Sequence, residues 1–357
     1  MKKIAHKFMK QLLILSFLFT ITACVQDTGQ GVSNNIHTIK GETMGTYYQV
    51  RYAGEEVEGL QSHVDSLLRV LDFELSTYNP KSVISRFNQN IDFNEIAKSQ
   101  PTAHFIKNFT LAREIYEKTS GFFDPSVMPL VNYWGFGYDP EAAIQSVDSS
   151  AVDSLLQWVG FNKIIVGTMP DYWSIGKQFP STQIDFSAIA KGYGVDEVAH
   201  LLEANQINNY LVDIGGEVVG KGYKSADNPW HIGIAVPLEE AAIADYMTAI
   251  PVENTAIATS GNYRNFHEIG GVKYSHTINP FTGFPERSRL LSASIKAADC
   301  ATADAFATAC MVAGLDKAFE MINNIPYLEG FFIYSDEKGV LQTKSTSGFP
   351  QSIPQNQ

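Results

Sequence analysis

The sequence predicts a mixed α+β fold, in which largely antiparallel sheets are interrupted by helices. Segments of strand character follow one another in pairs joined by glycine-containing turns, most of them in the second half of the 357-residue chain. Segments with a helical spacing of apolar residues interrupt these pairs, without the regular alternation of strand and helix that a parallel sheet requires. The length and the hydrophobic content of 45% suit one large domain with a buried core.

Helices are predicted where apolar residues recur every three or four positions. The first has Leu60, Leu67 and Leu71 on one stripe, and the second is closed by Gly121, a residue type that commonly ends helices. The predicted helices cover residues 57–76, 104–121, 152–160, 184–207 (after a short extended piece) and a segment of small residues from 300.

Strands are predicted where β-branched and aromatic residues are bounded by turn residues. Hairpins are expected to turn at Gly45, at the Gly215–Gly216 pair and at the Gly270–Gly271 pair. The predicted strands lie within residues 37–54, 163–167, 209–223, 230–237, 249–261, 265–278, 289–297 and 330–344.

The spacing of Gly215, Gly220 and Lys221 is that of a phosphate-binding loop. In such loops a Ser or Thr follows the lysine and holds magnesium, and a helix begins there. Here Gly222 follows, and the segment lies between two predicted strands. We therefore exclude a nucleotidase of that type and predict a glycine-containing hairpin.

The first 23 residues have the pattern of a bacterial lipoprotein signal peptide. Four lysines precede "LLILSFLFTI", an apolar run too short to span a membrane, and "ITAC" then places Cys24 where such signals are cleaved. We expect the Cys24 thiol to be lipidated; an ordinary signal peptide with a chance cysteine is the alternative. Residues 24–37 would form a flexible tether, 38–345 the folded domain and 346–357 a frayed tail.

The charge and the cysteines exclude a nucleic-acid partner and an internal disulfide. Loss of the four signal-peptide lysines takes the formal net charge from −12 to −16, whereas binding phosphates of a nucleic acid needs an excess of Lys and Arg. Cys300 and Cys310 would lie about 15 Å apart on one helix, too far for a disulfide bond. We expect both to be small buried residues.

Asp304 and Thr308 are four residues apart, so they would share one face of the predicted small-residue helix. Carboxylate and hydroxyl oxygens suit Mg²⁺, which often takes few protein ligands and completes its shell with water and substrate phosphates. The alternative is structural: a buried Asp that caps a neighbouring loop, and a Thr that bonds its own backbone. Both interpretations stay open from these residues alone.

Other segments carry side chains suited to a phosphorylated, aromatic ligand. Asp185 and Lys191 flank a predicted helix start, where free N–H groups favour anions. Tyr78 lies beside a proline-containing turn and could stack on a planar ring. Asp124 lies in an aromatic loop, and His276 lies in a loop rich in Gly, Pro and Thr. Ordinary capping or local packing remains the alternative for each.

Eight of these stretches, in order, resemble the signature blocks of the ApbE family, the FAD:protein FMN transferases. They are "ETMGTYY", "STYNPKSVISRFN", "GFFDPSVMPLVNYWGFG", "IDFSAIAKGYGVD", "VDIGGEVVGKG", "ATSGNYRN", "SHTINPFTGFP" and "ADAFATA". The resemblance covers residues 38 to 345 and implies an α+β domain that binds FAD in a cleft between its lobes. It also implies a Mg²⁺-dependent enzyme that transfers FMN from FAD to a Ser or Thr hydroxyl of a target protein, with release of AMP.

The resemblance further implies roles for individual residues. Asp304 and Thr308 match Mg²⁺ ligands, with the main-chain carbonyl of Ala188 as a third, and His276 matches the proposed general base. Asp304 would thus be catalytic together with His276. Some family members have Glu or another residue where Lys191 stands. The positions that match FAD contacts are Met44, Tyr78, Phe122, Phe123, Asp124, Asp185, Lys191 and Ile278.

The expected partners are FAD and extracytoplasmic flavin-accepting domains, such as flavin-carrying subunits of ion-pumping redox complexes. The expected location is the periplasmic face of the inner membrane, through the lipid anchor; Val25 is not the Asp typical of inner-membrane retention, which leaves the outer membrane open. Two other functions remain possible at this stage. One is a metal-dependent FAD pyrophosphatase that gives FMN and AMP, and the other is a non-catalytic FAD-binding lipoprotein.

Overall fold

An eight-stranded antiparallel sheet lies at the centre of the structure, a computed structural model that describes residues 35–138, 146–169, 172–238, 245–262 and 266–350. Every neighbouring pair of its strands is antiparallel. In order across the sheet the strands are β1 (Ile36–Thr43), β2 (Thr46–Ala53), β5 (Tyr210–Ile214), β6 (Glu217–Lys221), β10 (Thr255–Gly261), β13 (Leu290–Ala297), β14 (Glu329–Ser335) and β15 (Leu341–Ser345).

The described residues also form three smaller antiparallel sheets. Together with the central sheet and the helices they give the mixed α+β architecture that the sequence predicts. One pairs β3 (Ile164–Met169) with β4 (Tyr172–Lys177), and another pairs β11 (Phe266–Ile269) with β12 (Val272–Ser275). The third contains β7 (Tyr223–Ser225), β8 (Asn228–Ala235) and β9 (Tyr246–Val252).

The helices of the described residues include two that pack together beside the central sheet, α7 and α8. Every residue of α8 is buried except Thr308 and Ala313, and its many alanines let it lie close to α7, β10 and β13. The helices are α1 (Leu60–Leu75), α2 (Val83–Asn88), α3 (Phe93–Ser99), α4 (Ala103–Lys118), α5 (Met128–Tyr133), α6 (Ser149–Leu156), α7 (Ala190–Ala204), α8 (Cys300–Ala313) and α9 (Leu315–Asn323).

The predicted hairpins are confirmed. Met44 and Gly45 both have positive φ, 49° and 73°, and form the tight turn between β1 and β2. The glycine pairs at 215–216 and 270–271 also have positive φ and join β5 to β6 and β11 to β12. The prediction of one strand over 249–261 is wrong, because the chain turns at Asn254 (φ 47°) and separates β9 from β10.

Two predicted boundaries of the folded domain need correction. Ile36 already pairs with Ala53, so β1 begins two residues before the predicted start of the folded domain at residue 38. At the other end, the Thr346 hydroxyl accepts a hydrogen bond from the Gly330 N–H, and the Phe349 ring stacks on Phe331, so residues 346–350 are ordered rather than frayed. The predicted signal peptide and Cys24 lie outside the described residues.

Cys300 and Cys310 are both free and buried, as predicted. No helix in the described part of the chain has the length and apolar character needed to cross a membrane.

Candidate active site

Asp304 lies in the second turn of α8 and is 2% exposed. The helix begins at an N-cap, Asp299, whose carboxylate accepts a hydrogen bond from the Thr302 N–H (2.8 Å). Thr308 follows Asp304 by one helical turn, and its hydroxyl lies 3.2 Å from the Ser260 hydroxyl of β10. The carboxylate and the hydroxyl therefore share one face of a helix, as their spacing predicts.

The start of α7 brings a cation to this face. Lys191 Nζ lies 3.9 Å from Asp304 Oδ2 and 2.8 Å from Glu217 Oε1 on β6. The Gly192 N–H donates a hydrogen bond to Asp304 Oδ2 at 3.1 Å. Glu217 Oε2 is buried and has no hydrogen-bond partner among the described residues. The site thus contains two buried carboxylates on either side of one ammonium group.

Burial and mutual charge set the ionisation of this cluster. Burial raises the pKa of Asp304 above its ordinary value, against the opposing effects of Lys191 and the Gly192 N–H. Burial also raises the pKa of Glu217 to about 7, with Lys191 opposing the shift and Asp304 adding to it. Burial would lower the pKa of Lys191, but the charges of Asp304 and Glu217 outweigh it and raise that pKa. Lys191 therefore remains an ammonium group at neutral pH.

The oxygen atoms at this site fit Mg²⁺. The described residues contain no group of three or more His, Cys, Asp or Glu side chains placed to hold a metal ion, so such an ion would need other oxygens. Thr308 supplies a hydroxyl, and the main-chain carbonyl of Ala188 belongs to the turn just before α7, four residues before Gly192, whose N–H donates to Asp304. Hard oxygen ligands of this kind, completed by water or phosphate, are the set that Mg²⁺ prefers.

Met44 borders the same site. Its side chain lies against α7 at Gly194, where an added Cβ would be 3.3 Å from the Met44 Cε atom. The positive φ of Met44 is unusual for a residue other than glycine and holds this side chain at the turn. The neighbouring Tyr47 hydroxyl donates to Asp213 (3.3 Å) on β5. The β1–β2 turn therefore forms one side of the site.

Asp185 lies in the loop before α7, and Asp124 lies in the loop between α4 and α5, which adjoins it. Asp185 Oδ1 accepts hydrogen bonds from the Ser187 N–H (2.9 Å) and hydroxyl (2.6 Å). Asp124 Oδ1 accepts the same pair of bonds from Ser126, at 2.8 and 2.6 Å. The Asp185 N–H donates to the carbonyl of Pro125 (2.8 Å), which joins the two loops. Both carboxylates thus cap local turns while lying next to each other in the fold.

The Asp124→Asn substitution should remove a pH-dependent loss of stability. Burial raises the pKa of Asp124 to about 6 from 3.8, so folding of the wild type becomes less favourable as the pH rises from about 4 to about 6. Asn stays neutral, and its side-chain oxygen can accept both bonds from Ser126. We expect the variant to be about 1–3 kcal/mol more stable above pH 6 and equal to the wild type near pH 4, by urea unfolding. A difference that does not change with pH would contradict this interpretation.

The aromatic residues implied as FAD contacts divide into accessible and buried ones. Tyr78 is 66% exposed, and its hydroxyl donates to the carbonyl of Phe136 (3.4 Å). Phe122 packs edge-on against Phe281, with ring centroids 5.3 Å apart. Phe123 and Ile278 are only 2% and 5% exposed, with their side chains in hydrophobic clusters of the interior. These last two could therefore offer a ligand main-chain atoms but little side-chain surface.

His276 lies beside the aromatic loop that contains Phe136. The ring centroids of His276 and Phe136 are 6.3 Å apart, and the ring of His267 stacks on Phe136 at 4.4 Å. His267 Nε2 also forms a hydrogen bond with the carbonyl of Gly135 (3.1 Å). Tyr78 bonds the same loop, so the structure places Tyr78 and His276 beside Phe136. The other predicted residues, Asp304, Thr308, Lys191 and Met44, lie around the start of α7.

Glu217 is a site residue that the sequence pattern did not predict. The sequence predicts a hairpin over residues 215–222, and a strand glutamate is ordinarily assigned to solvent. A charged residue at the first position of a short apolar strand after a glycine pair is the signal that could have found it. The pairing of Glu217 with Lys191, 26 positions earlier in the chain, depends on the tertiary structure.

Comparisons with known proteins agree with this architecture. The model of the ApbE family matches residues 44–332. The FAD:protein FMN transferase of Vibrio cholerae serotype O1 is 34% identical over 346 residues, which is 95% of this chain and 98% of the relative. That of Haemophilus influenzae is 33% identical over 350 residues, 96% of this chain and 97% of the relative.

Solved structures give the same result. The flavin transferase ApbE from Vibrio cholerae superposes with a TM-score of 0.77 at 32% identity, covering 88% of this chain and 98% of that one. The apo form of the Pseudomonas stutzeri flavinyl transferase ApbE gives a TM-score of 0.74 at 28% identity, covering 88% of this chain and 95% of that one. On this agreement of sequence and fold, the chain belongs to the ApbE family.

Proposed function

We propose that this protein is a Mg²⁺-dependent transferase that moves FMN from FAD to a Ser or Thr hydroxyl of a target protein and releases AMP. The observation that carries the proposal is the cluster of Asp304, Lys191 and Glu217 at the start of α7. It occurs in a chain whose relatives, 33–34% identical over nearly their full length, are named FAD:protein FMN transferases. A buried carboxylate beside an ammonium group suits a pyrophosphate that binds together with a divalent cation.

The transfer replaces one bond to phosphorus by another. The acceptor oxygen bonds to the phosphorus of the FMN half as the bond from that phosphorus to the AMP oxygen breaks. His276 is the proposed base that takes the hydroxyl proton, and AMP leaves with the electrons of the broken bond. Lys191 keeps a positive charge next to Asp304, where it can stabilise negative charge that grows on the departing phosphate.

Asp304, Thr308 and the Ala188 carbonyl are the residues that would hold Mg²⁺. When bound, the ion would neutralise charge on the pyrophosphate and on the AMP leaving group. Met44 and Tyr78 would pack on the ring systems of FAD, which agrees with the position of Met44 beside α7 and with the exposed ring of Tyr78.

AMP release with and without acceptor separates this function from hydrolysis. The purified protein is incubated with FAD and Mg²⁺, and AMP is followed over time. A transferase should release AMP slowly alone and rapidly when a flavin-accepting domain is added. Equally rapid release without acceptor would identify an FAD pyrophosphatase, and tight FAD retention without AMP in either mixture would identify a binding protein.

We propose that the protein is a lipoprotein held at the periplasmic face of the inner membrane. The support is the signal-peptide pattern that ends in Cys24. Changing Cys24 to Ala should block processing or release the domain from the membrane fraction, because no thiol remains to carry the lipid. Fractionation and gel mobility of the two forms test this, and unchanged behaviour of the variant would contradict lipidation.

A further inference from the structure

We infer that Asp196 is a positioning residue that, together with Gly192, fixes α8 against α7 and so holds Asp304 at the start of α7. The inference rests on the proposed function, because it concerns the residues that would hold Mg²⁺. Neither residue is among those that the sequence pattern assigns to a ligand.

The Asp196 carboxylate joins the two helices through both of its oxygens. Oδ1 lies 2.8 Å from the Cys300 nitrogen and Oδ2 lies 2.9 Å from the Ala301 nitrogen, so both N–H groups donate to one carboxylate. These are free N–H groups of the first turn of α8, which an anionic group stabilises. A side chain of α7 therefore caps α8 and restrains its rotation as well as its distance.

Gly192 provides the second contact between the helices, one turn before Asp196. A Cβ at this position would lie 2.6 Å from the carbonyl carbon of Cys300 and 2.8 Å from the Cα of Ala301, so only glycine lets the two backbones meet here. The same residue donates its N–H to Asp304 Oδ2 (3.1 Å).

The two contacts lie one turn apart on α7, and both hold the first turn of α8. Gly192 lies against the backbone of Cys300 and Ala301 and donates its N–H to the Asp304 side chain, and Asp196, one turn later on α7, accepts the N–H groups of the same two residues. A shift of α8 by a fraction of a turn would break both contacts and move Asp304 away from Lys191. The position of the carboxylate relative to that ammonium group thus depends on the contact at Asp196.

Asp299 provides a matched control on the same helix. Its carboxylate also accepts an N–H of the first turn, that of Thr302 at 2.8 Å. Asp299 is the N-cap of α8 itself, so its bond stabilises the helix start without joining it to α7. Asn in place of either Asp keeps the shape of the side chain and removes the charge.

The experiment compares Asp196→Asn with Asp299→Asn in the full-length protein loaded with FAD. Mn²⁺ is titrated in, and binding is followed by loss of the EPR signal of the free ion. We expect Asp196→Asn to weaken Mn²⁺ binding about 10- to 100-fold, the scale for losing a group that orients a metal ligand. Asp299→Asn should stay within about twofold of the wild type, because Asn caps a helix about as well as Asp.

A third variant, Gly192→Ala, should also weaken Mn²⁺ binding, because the added methyl group pushes the two helices apart. This variant tests the role of the contact between α7 and α8 if Asp196→Asn does not fold. Equal Mn²⁺ affinities in Asp196→Asn and Asp299→Asn, with native circular dichroism in both, would overturn the inference and leave the proposed function intact. A wild-type protein that binds no Mn²⁺ in the presence of FAD would instead contradict the proposed metal use, and the positioning role would fall with it.

Discussion

Replacing Asp304 by Ala is expected to lower flavin transfer by at least ~10²–10³-fold at ordinary Mg²⁺ concentrations, the scale for losing one major electrostatic contact. The carboxylate contributes both an oxygen and a negative charge, and it is buried next to Lys191. Thr308 contributes only a hydroxyl dipole, so Thr308→Ala should keep measurable activity. Transfer is measured as AMP released in the presence of an acceptor domain.

The magnesium dependence of the two variants distinguishes a lost ligand from a damaged fold. Raising the Mg²⁺ concentration should restore part of the activity of Thr308→Ala and little of that of Asp304→Ala. Lys191 keeps its 2.8 Å contact with Glu217 when Asp304 is removed, so the start of α7 should stay in place. Full activity in both variants would exclude this face of α8 as the metal site.

Replacing His276 by Ala is expected to reduce transfer by ~10²-fold or more while FAD affinity changes only a few fold. This is the scale for one general base. A base must reach the acceptor hydroxyl, so it should line the open side of the site without gripping FAD. Binding is measured by fluorescence quenching and transfer by acceptor mass, on the same preparation.

His267→Ala is the matched control, because His267 also packs its imidazole against Phe136. It should lower transfer far less than His276→Ala, since its proposed role is only to support the loop. Loss of FAD binding in His276→Ala, with unchanged turnover at saturating FAD, would make His276 a ligand contact. The general base would then have to be another residue.

The sequence predicted the hairpins and long helices well because their signals are local. The glycines at 215–216 and 270–271 supply the positive φ that tight turns need. The turn at Asn254 was missed because no glycine marks it, and one strand was predicted where there are two. The short helices α2 and α3 were missed because six or seven residues carry too little periodicity to be distinguished from a loop.

The candidate site could be predicted only where its residues share an element. Helical spacing alone is enough to put Asp304 and Thr308 on one face of α8. The contacts of Asp304 with Lys191 and Gly192 span more than a hundred positions, and periodicity carries no information about them. For Phe123, the sequence of an aromatic loop does not show which rings face the interior.

The mass of an acceptor domain after incubation with the protein, FAD and Mg²⁺ tests the central claim most directly. The proposed transfer predicts a gain equal to FMN less one water on a Ser or Thr, with one AMP released for each acceptor modified. The gain should disappear without the protein, without FAD or without Mg²⁺. An unmodified acceptor, together with FMN and AMP formed at a rate that the acceptor does not change, would contradict the claim.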